Sequence, residues 1–150
     1  MNISNCDNME ILLKEIDLVE DCIKRMTNNS FLLKGSALTV WGCLITFIIN
    51  SDANQKCYFI FVILPICIAF WCLDAIYLRL EKLYRRKYNW LINNRITTQE
   101  YMFNLSPYEK AMWLETENYD IPLLKVFLSK TLSILYGTIS ALTFVIIYFV

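Results

Sequence analysis

The sequence predicts an all-α integral membrane protein with three transmembrane helices. Three observations carry that prediction. Hydrophobic residues make up 57% of the 150-residue chain, above the usual share in a soluble domain. They are gathered into three blocks of about twenty residues rather than spread in an amphipathic pattern, and twenty apolar residues are what a helix needs to cross roughly 30 Å of hydrocarbon. Thirteen of the fourteen Lys and Arg residues fall on one side of those blocks when the chain is threaded back and forth. Helix is the expected form of each block, because an unpaired peptide group in lipid is too costly.

The first element is an amphipathic helix over residues 9–30, within a cytoplasmic segment 1–30. Leu12, Ile16, Val19, Ile23 and Met26 recur at spacings of four and three, a heptad-like stripe suited to packing on another helix. Glu10, Lys14, Asp17, Glu20, Asp21 and Lys24 form the opposite, polar face. The stripe fits either the chain's own second cytoplasmic helix or a neighbouring subunit, and it runs on through Ser30 towards Leu33, so helix and span read as continuous. Residues 1–30 are acidic and polar, without the short apolar core of a signal peptide.

The spans follow at 31–49, 58–78 and 131–150, with 31–80 forming a helical hairpin. The connection NSDANQKC between the first two holds only Lys56. Lys14, Lys24, Arg25 and Lys34 precede or open the first span, and the segment from Arg79 to Lys130 carries nine more cations. The positive-inside rule therefore puts the N-terminus and the 79–130 segment in the cytoplasm and the C-terminus outside. Span two continues past the membrane as a helix, with Asp74, Tyr77, Glu81, Tyr84, Arg85 and Tyr88 on one side, and Glu81 and Arg85 at the favourable i,i+4 spacing. Residues 81–130 form a helical cytoplasmic segment. After Trp90, NNRITTQEYMFNLSP reads as a turn and a short amphipathic piece, and Ser106 caps a further short helix with Glu109 three residues on. Pro122 resets the chain, and LLKVFLSKTL leads into the third span. The whole reads as a single membrane domain, 1–150.

Composition excludes much chemistry. There is no histidine, which removes the commonest general base and metal ligand. Six cysteines are present without a CxxC pair. Cys43, Cys67 and Cys72 lie in apolar runs, where a thiol behaves as a small hydrophobe. No cofactor, metal or catalytic residue is expected. The basic cluster from Arg79 to Lys87 sits at the membrane face, where orientation and anionic lipid account for it better than nucleic acid does. Small residues at i+4 steps, Gly35, Thr39 and Cys43 on span one and Ser133, Gly137 and Ala141 on span three, let helices approach closely in lipid.

Asp74 is the exception within the spans. It lies about 7 Å inside the boundary marked by Arg79, at 1.5 Å per residue. Lys34 falls at similar depth on the preceding antiparallel span. An ionisable residue there costs roughly 2.5–3.5 kcal/mol on the gentlest scale and needs a partner or water. Three roles fit: a structural tie to Lys34 or a hydroxyl such as Thr39, a polar lining for the lumen of an oligomer, and a proton relay. The relay comes last, because the spans hold no other acid.

The segments RMTNNSFLLKGSALTV (25–40), FWCLDAIYLRLEKLYRRKY (70–88), FNLSPY (103–108) and FLSKTLSILYG (127–137) together resemble the RipA-like family of bacterial octameric membrane proteins. Order and spacing agree over nearly the whole chain. Ser36, Asn104 and Leu135 depart from the residues usual in that family. The resemblance implies a bacterial inner-membrane homo-oligomer of eight copies, a family associated with adaptation to growth inside host cells and without defined catalytic residues. Asn29, Ser30, Lys34, Asp74, Tyr77, Glu81 and Arg85 match its recurrent positions; with Gly137 from the small-residue face they are the candidate structural and assembly residues. Two functions compete: a non-enzymatic membrane scaffold or assembly in stress or host adaptation, whose collar organises a cytoplasmic protein partner, and a pore or channel acting as a membrane-depolarising effector.

The charge asymmetry yields a direct test. Alkaline phosphatase fused after Val150 is expected to be active, and green fluorescent protein at the same place dark. The reverse pattern contradicts the topology.

Overall fold

The computed structural model describes residues 5–51, 53–108 and 121–149. Among these, every regular element is a helix: α1 (Asn5–Ile49), α2 (Ala53–Asn94), α3 (Leu123–Phe127) and α4 (Lys130–Phe149). Three of them, α1, α2 and α4, are long and apolar enough to cross a membrane. The chain is a multi-pass, all-α membrane protein. At 1.5 Å per residue α1 is about 68 Å long, more than twice the hydrocarbon thickness, so N-terminal helix and first span are one element. The α2 helix runs through Pro65, a substitution of ring for N–H that transmembrane helices accommodate. Hydroxyls within the apolar stretches turn back on their own helices: Thr39 donates to the Gly35 carbonyl at 3.0 Å, Thr46 to Gly42 at 2.9 Å and Thr143 to Ile139 at 2.8 Å. Each hydroxyl is thereby satisfied without water.

The contacts divide the chain into two compact units. One comprises residues 1–28 and 78–121; the other comprises 29–77 and 122–150.

In the first unit Leu12, Val19 and Leu91 form the core, with Ile16, Ile23, Tyr84, Tyr88 and Trp90 packed around them. The most buried line on α1 is Leu12, Glu15, Val19 and Cys22, one step round from the stripe the sequence predicts. Ile16, Ile23 and Met26 flank it, half-buried. Glu15 therefore lies in the core-facing seam, and it is paired. Arg95 grips it in the two-pronged manner of guanidinium on carboxylate, Nε on Oε2 and Nη2 on Oε1. The Phe103 N–H donates to the same Oε1 at 2.5 Å. Arg95 also donates to the carbonyls of Glu100 at 2.7 Å and of Thr98 and Tyr101 at 3.3 Å. Its guanidinium lies 5.6 Å from the centre of the Trp90 ring, within cation–π range. Lys87, buried and two turns back on α2, donates to the carbonyls of Asn104 and Ser106.

These bonds explain where the sequence reading of 95–107 departs from the structure. The short amphipathic piece expected there is a run of turns. Its carbonyls are taken by Lys87 of α2 and by Arg95, the residue after the end of α2, instead of by N–H groups four residues on. Tyr101 and Phe103 have φ of 57° and 55°, the left-handed region that side chains other than glycine's adopt at a cost. The Phe103 N–H bond to Glu15 holds one of them there. The helix expected to start at Ser106 lies outside the described residues from 109 onwards.

In the second unit Ile45, Ile48 and Ile63 form a core with Trp41, Leu44, Phe59, Ile146 and Ile147 around it. The α4 helix presents Leu132, Tyr136, Ile139 and Thr143 inward, a strict heptad seam. Trp41 donates its indole N–H to Thr143 Oγ1 at 2.8 Å. The stretch LLKVFLSKTL is not one helix. It breaks at Leu128–Ser129 between α3 and α4.

Removing one partner of a buried pair leaves a charge without compensation, a loss of about 3–5 kcal/mol. Glu15→Ala is expected to lower the thermal midpoint sharply and expose the 95–107 turns to protease. Glu15→Gln, which keeps an acceptor for Arg95 and Phe103, is expected to lose less. Equal and small losses would show that the clamp does not hold this unit.

Candidate functional site

Among the described residues of the second unit the buried carboxylate is Asp74 on α2, with no exposed surface at all. Its neighbours come from two other helices. Ser30 and Lys34 sit one turn apart on α1, and Tyr136 comes from the buried seam of α4. Ser30 Oγ donates to Asp74 Oδ1 at 2.5 Å. Lys34 Nζ lies 2.9 Å from each carboxylate oxygen and also donates to Ser30 Oγ at 2.5 Å. Tyr136 donates its hydroxyl to Oδ2 at 3.3 Å. Both oxygens are thus occupied by donors from α1 and α4, as a carboxylate out of water requires. Thr39, the alternative partner on sequence grounds, is bonded to its own helix instead.

Aromatic rings close the site on one side. Trp71, three residues before Asp74 on the same face of α2, stacks on Phe127 with centroids 4.3 Å apart and on Tyr136 at 5.7 Å. Its indole N–H donates to the Phe127 carbonyl at 2.9 Å, near the C-terminal end of α3. On the other side of Tyr136 lies an apolar cavity of about 20 Å³, lined among others by Ala37, Trp41, Ile63, Cys67 and Phe70. It is large enough for one water but offers few polar partners to hold it.

The chemistry open to this cluster is narrow. Ser30 beside Lys34 has the spacing of a nucleophile and its base. Yet Lys34 is ion-paired to Asp74 and donates to both Asp74 and Ser30 Oγ, so it is not placed as an acceptor for Ser30. Ser30 in turn gives its own proton to Asp74. Donors and acceptors are matched, which describes a tie between helices. Among the described residues no three His, Cys, Asp or Glu side chains converge to hold a metal.

Of the other residues singled out from sequence, Asn29 and Tyr77 are half-buried. Glu81, half-buried, and Arg85, exposed, form an i,i+4 pair at 2.8 Å on α2. Gly137 is half-buried, and a Cβ built on it or on Gly35 meets nothing within 4 Å. The small-residue faces are therefore not the faces packed inside the chain. Sequence reasoning missed Tyr136, Trp71 and Phe127. The available signal was the heptad Leu132–Tyr136–Ile139–Thr143, which places the phenol on the packed side of α4. Comparison with family models, with curated proteins and with solved structures finds no match to this chain.

Asp74→Asn keeps the shape but leaves Lys34 without its counter-charge. Because Lys34 is partly exposed, the expected loss is about 2–3 kcal/mol, below that of a fully buried pair. Cys72→Ser, on the exposed side of α2, is expected to change the thermal midpoint much less. If Asp74→Asn leaves stability intact and alters ion leak through vesicles, Asp74 serves a pathway and not a tie.

Proposed function

We propose that this chain is a non-enzymatic bacterial inner-membrane protein whose copies assemble into a closed homo-oligomeric ring, eight copies being the expectation from its RipA-like segments. The ring acts as a membrane scaffold or assembly in stress or host adaptation. The N-terminus and the 79–130 segment lie in the cytoplasm, the C-terminus outside. The carrying observation is the division of labour in the spans. Every polar side chain of the Asp74 cluster is spent inside one chain, while the Gly35 face stays exposed and half-buried Gly137 leaves open space where a Cβ would stand. In lipid, where helices associate by close packing and not by hydrophobicity, such uncovered small faces suit contact with further copies. The cytoplasmic helices then gather into a collar able to hold a protein partner, with the Arg79–Lys87 cluster against anionic lipid.

The pore reading draws less support. A water-filled lumen needs polar groups on an outer face of the chain, and Asp74 is fully enclosed by Ser30, Lys34 and Tyr136.

Particle mass and symmetry of the purified protein in lipid nanodiscs test the proposal. A closed ring of about eight is the expected result; a monomer or dimer overturns it. Gly35→Leu and Gly137→Leu are expected to break the ring into smaller particles while leaving helix content unchanged, since a Cβ at either position meets nothing within 4 Å in its own chain.

A further inference from the structure

The segment between Pro122 and α4 has two opposite faces. Val126 is buried, and Phe127 is stacked on Trp71, whose indole N–H holds the Phe127 carbonyl. The other face holds Leu124 and Leu128, one helical turn apart and 75% and 67% exposed. Leu123 is exposed beside them. These leucines are the last residues before a span: α4 begins at Lys130, two positions after Leu128. Lys125, between the two, and Lys130, two residues after them, are both exposed. Residues 121–150 contain no Asp or Glu, and among the described residues neither lysine has a carboxylate partner.

Exposed leucines and, among the described residues, lysines without a carboxylate partner stand together at the mouth of a membrane helix. We infer that residues 123–130 form a foot on the bilayer. Leu124 and Leu128 enter the acyl boundary of the leaflet at the Lys130 end of α4, and Lys125 and Lys130 meet the phosphates of anionic phospholipid. Apolar side chains on one side and lysines at headgroup height are the pattern of interfacial segments. Soluble protein is a poorer occupant, because the leucines lie where the leaflet already is if α4 spans. The Trp71–Phe127 stack and the indole bond hold the foot at a fixed place relative to the Asp74 tie. The inference rests on the membrane reading of α4, and the experiment separates the two.

The full chain is reconstituted in vesicles containing a photoactivatable phosphatidylglycerol, or the matching phosphatidylcholine, with the diazirine near the top of the acyl chain. Adducts are mapped by mass spectrometry. Adducts are expected on residues 123–130 and on the exposed Phe144–Val145 face of α4. The double variant Leu124→Gln, Leu128→Gln is expected to reduce the first set at least fivefold and leave the second. Lys125→Gln with Lys130→Gln is expected to lower the preference for phosphatidylglycerol by about fivefold per lysine. Adducts on α4 with none on 123–130 overturn the foot and show the leucines covered by protein. No adducts on either segment overturn the membrane reading of α4 and the foot with it. An unchanged lipid preference in the lysine variant overturns the phosphate contact.

Discussion

A carboxylate without water must be surrounded by donors, and that requirement organises the second unit. Asp74 draws Ser30 and Lys34 from α1 and Tyr136 from α4 onto two oxygens. Leucine-rich helices in lipid have little to fix their rotation or register, because lipid tails solvate apolar side chains as well as another helix does. A single directional cluster supplies both. It sets which face of each helix turns inward, and the apolar seam of α4 follows from it: Leu132, Ile139 and Thr143 are buried on the same side as Tyr136. The cost of placing an ion there is the reason the arrangement is specific. Any rotation that removes Lys34 or Ser30 leaves the charge exposed to hydrocarbon.

The first unit uses the same device with the roles exchanged. There α1 supplies the anion, Glu15, and the turn that directly follows α2 supplies the cation, Arg95. In the second unit α1 supplies the cation and α2 the anion. Arg95 is the better choice where the partner is buried and the surroundings are backbone carbonyls. Its planar fork serves the carboxylate on one edge and has donors left for Thr98, Glu100 and Tyr101. Lys34 suits a site at the edge of the cluster, where a compact ammonium reaches a hydroxyl and both carboxylate oxygens at once. Buried ion pairs are weak evidence for net stability. Their stronger consequence here is to forbid alternative pairings of two long, similar helices.

The spans, their helical form and the continuity of the first helix were legible because lipid leaves so few options: apolar blocks of about twenty residues and a one-sided charge distribution suffice. The meeting of Lys34 with Asp74 was legible for a related reason. Two ionisable residues at equal depth in adjacent antiparallel spans stand out against an apolar background. Glu15 did not stand out, because it sits among Glu10, Asp17, Glu20 and Asp21 on a helix with many acids. Only its i+3 and i−4 relation to Leu12 and Val19 separates it from them. Arg95 and Lys87 were hidden in the same way, one in a stretch that reads as a turn and one within a basic cluster. Tyr136 was hidden by its neighbour, since Gly137 drew attention to the small face while the phenol beside it faced the core. Sequence patterns identify a face by its majority. A lone polar residue on an apolar face is visible, whereas a lone buried residue of a common exposed type is not.

What remains uncovered after both units are assembled is as constrained as what is buried. In the spans the exposed residues are large and apolar, such as Phe47, Phe61, Ile134 and Phe144, interrupted by small ones at Gly35, Cys43 and Ala141. Thr39, Thr46 and Thr138 among them are bonded to carbonyls of their own helices. Contacts made by such a surface are governed by shape: large side chains face lipid, and the small faces admit another backbone. Association through them needs no polar exchange, and it leaves the Asp74 cluster undisturbed. Among the described residues, the charges within the apolar stretches, Lys34 and Asp74, are thus matched inside one chain.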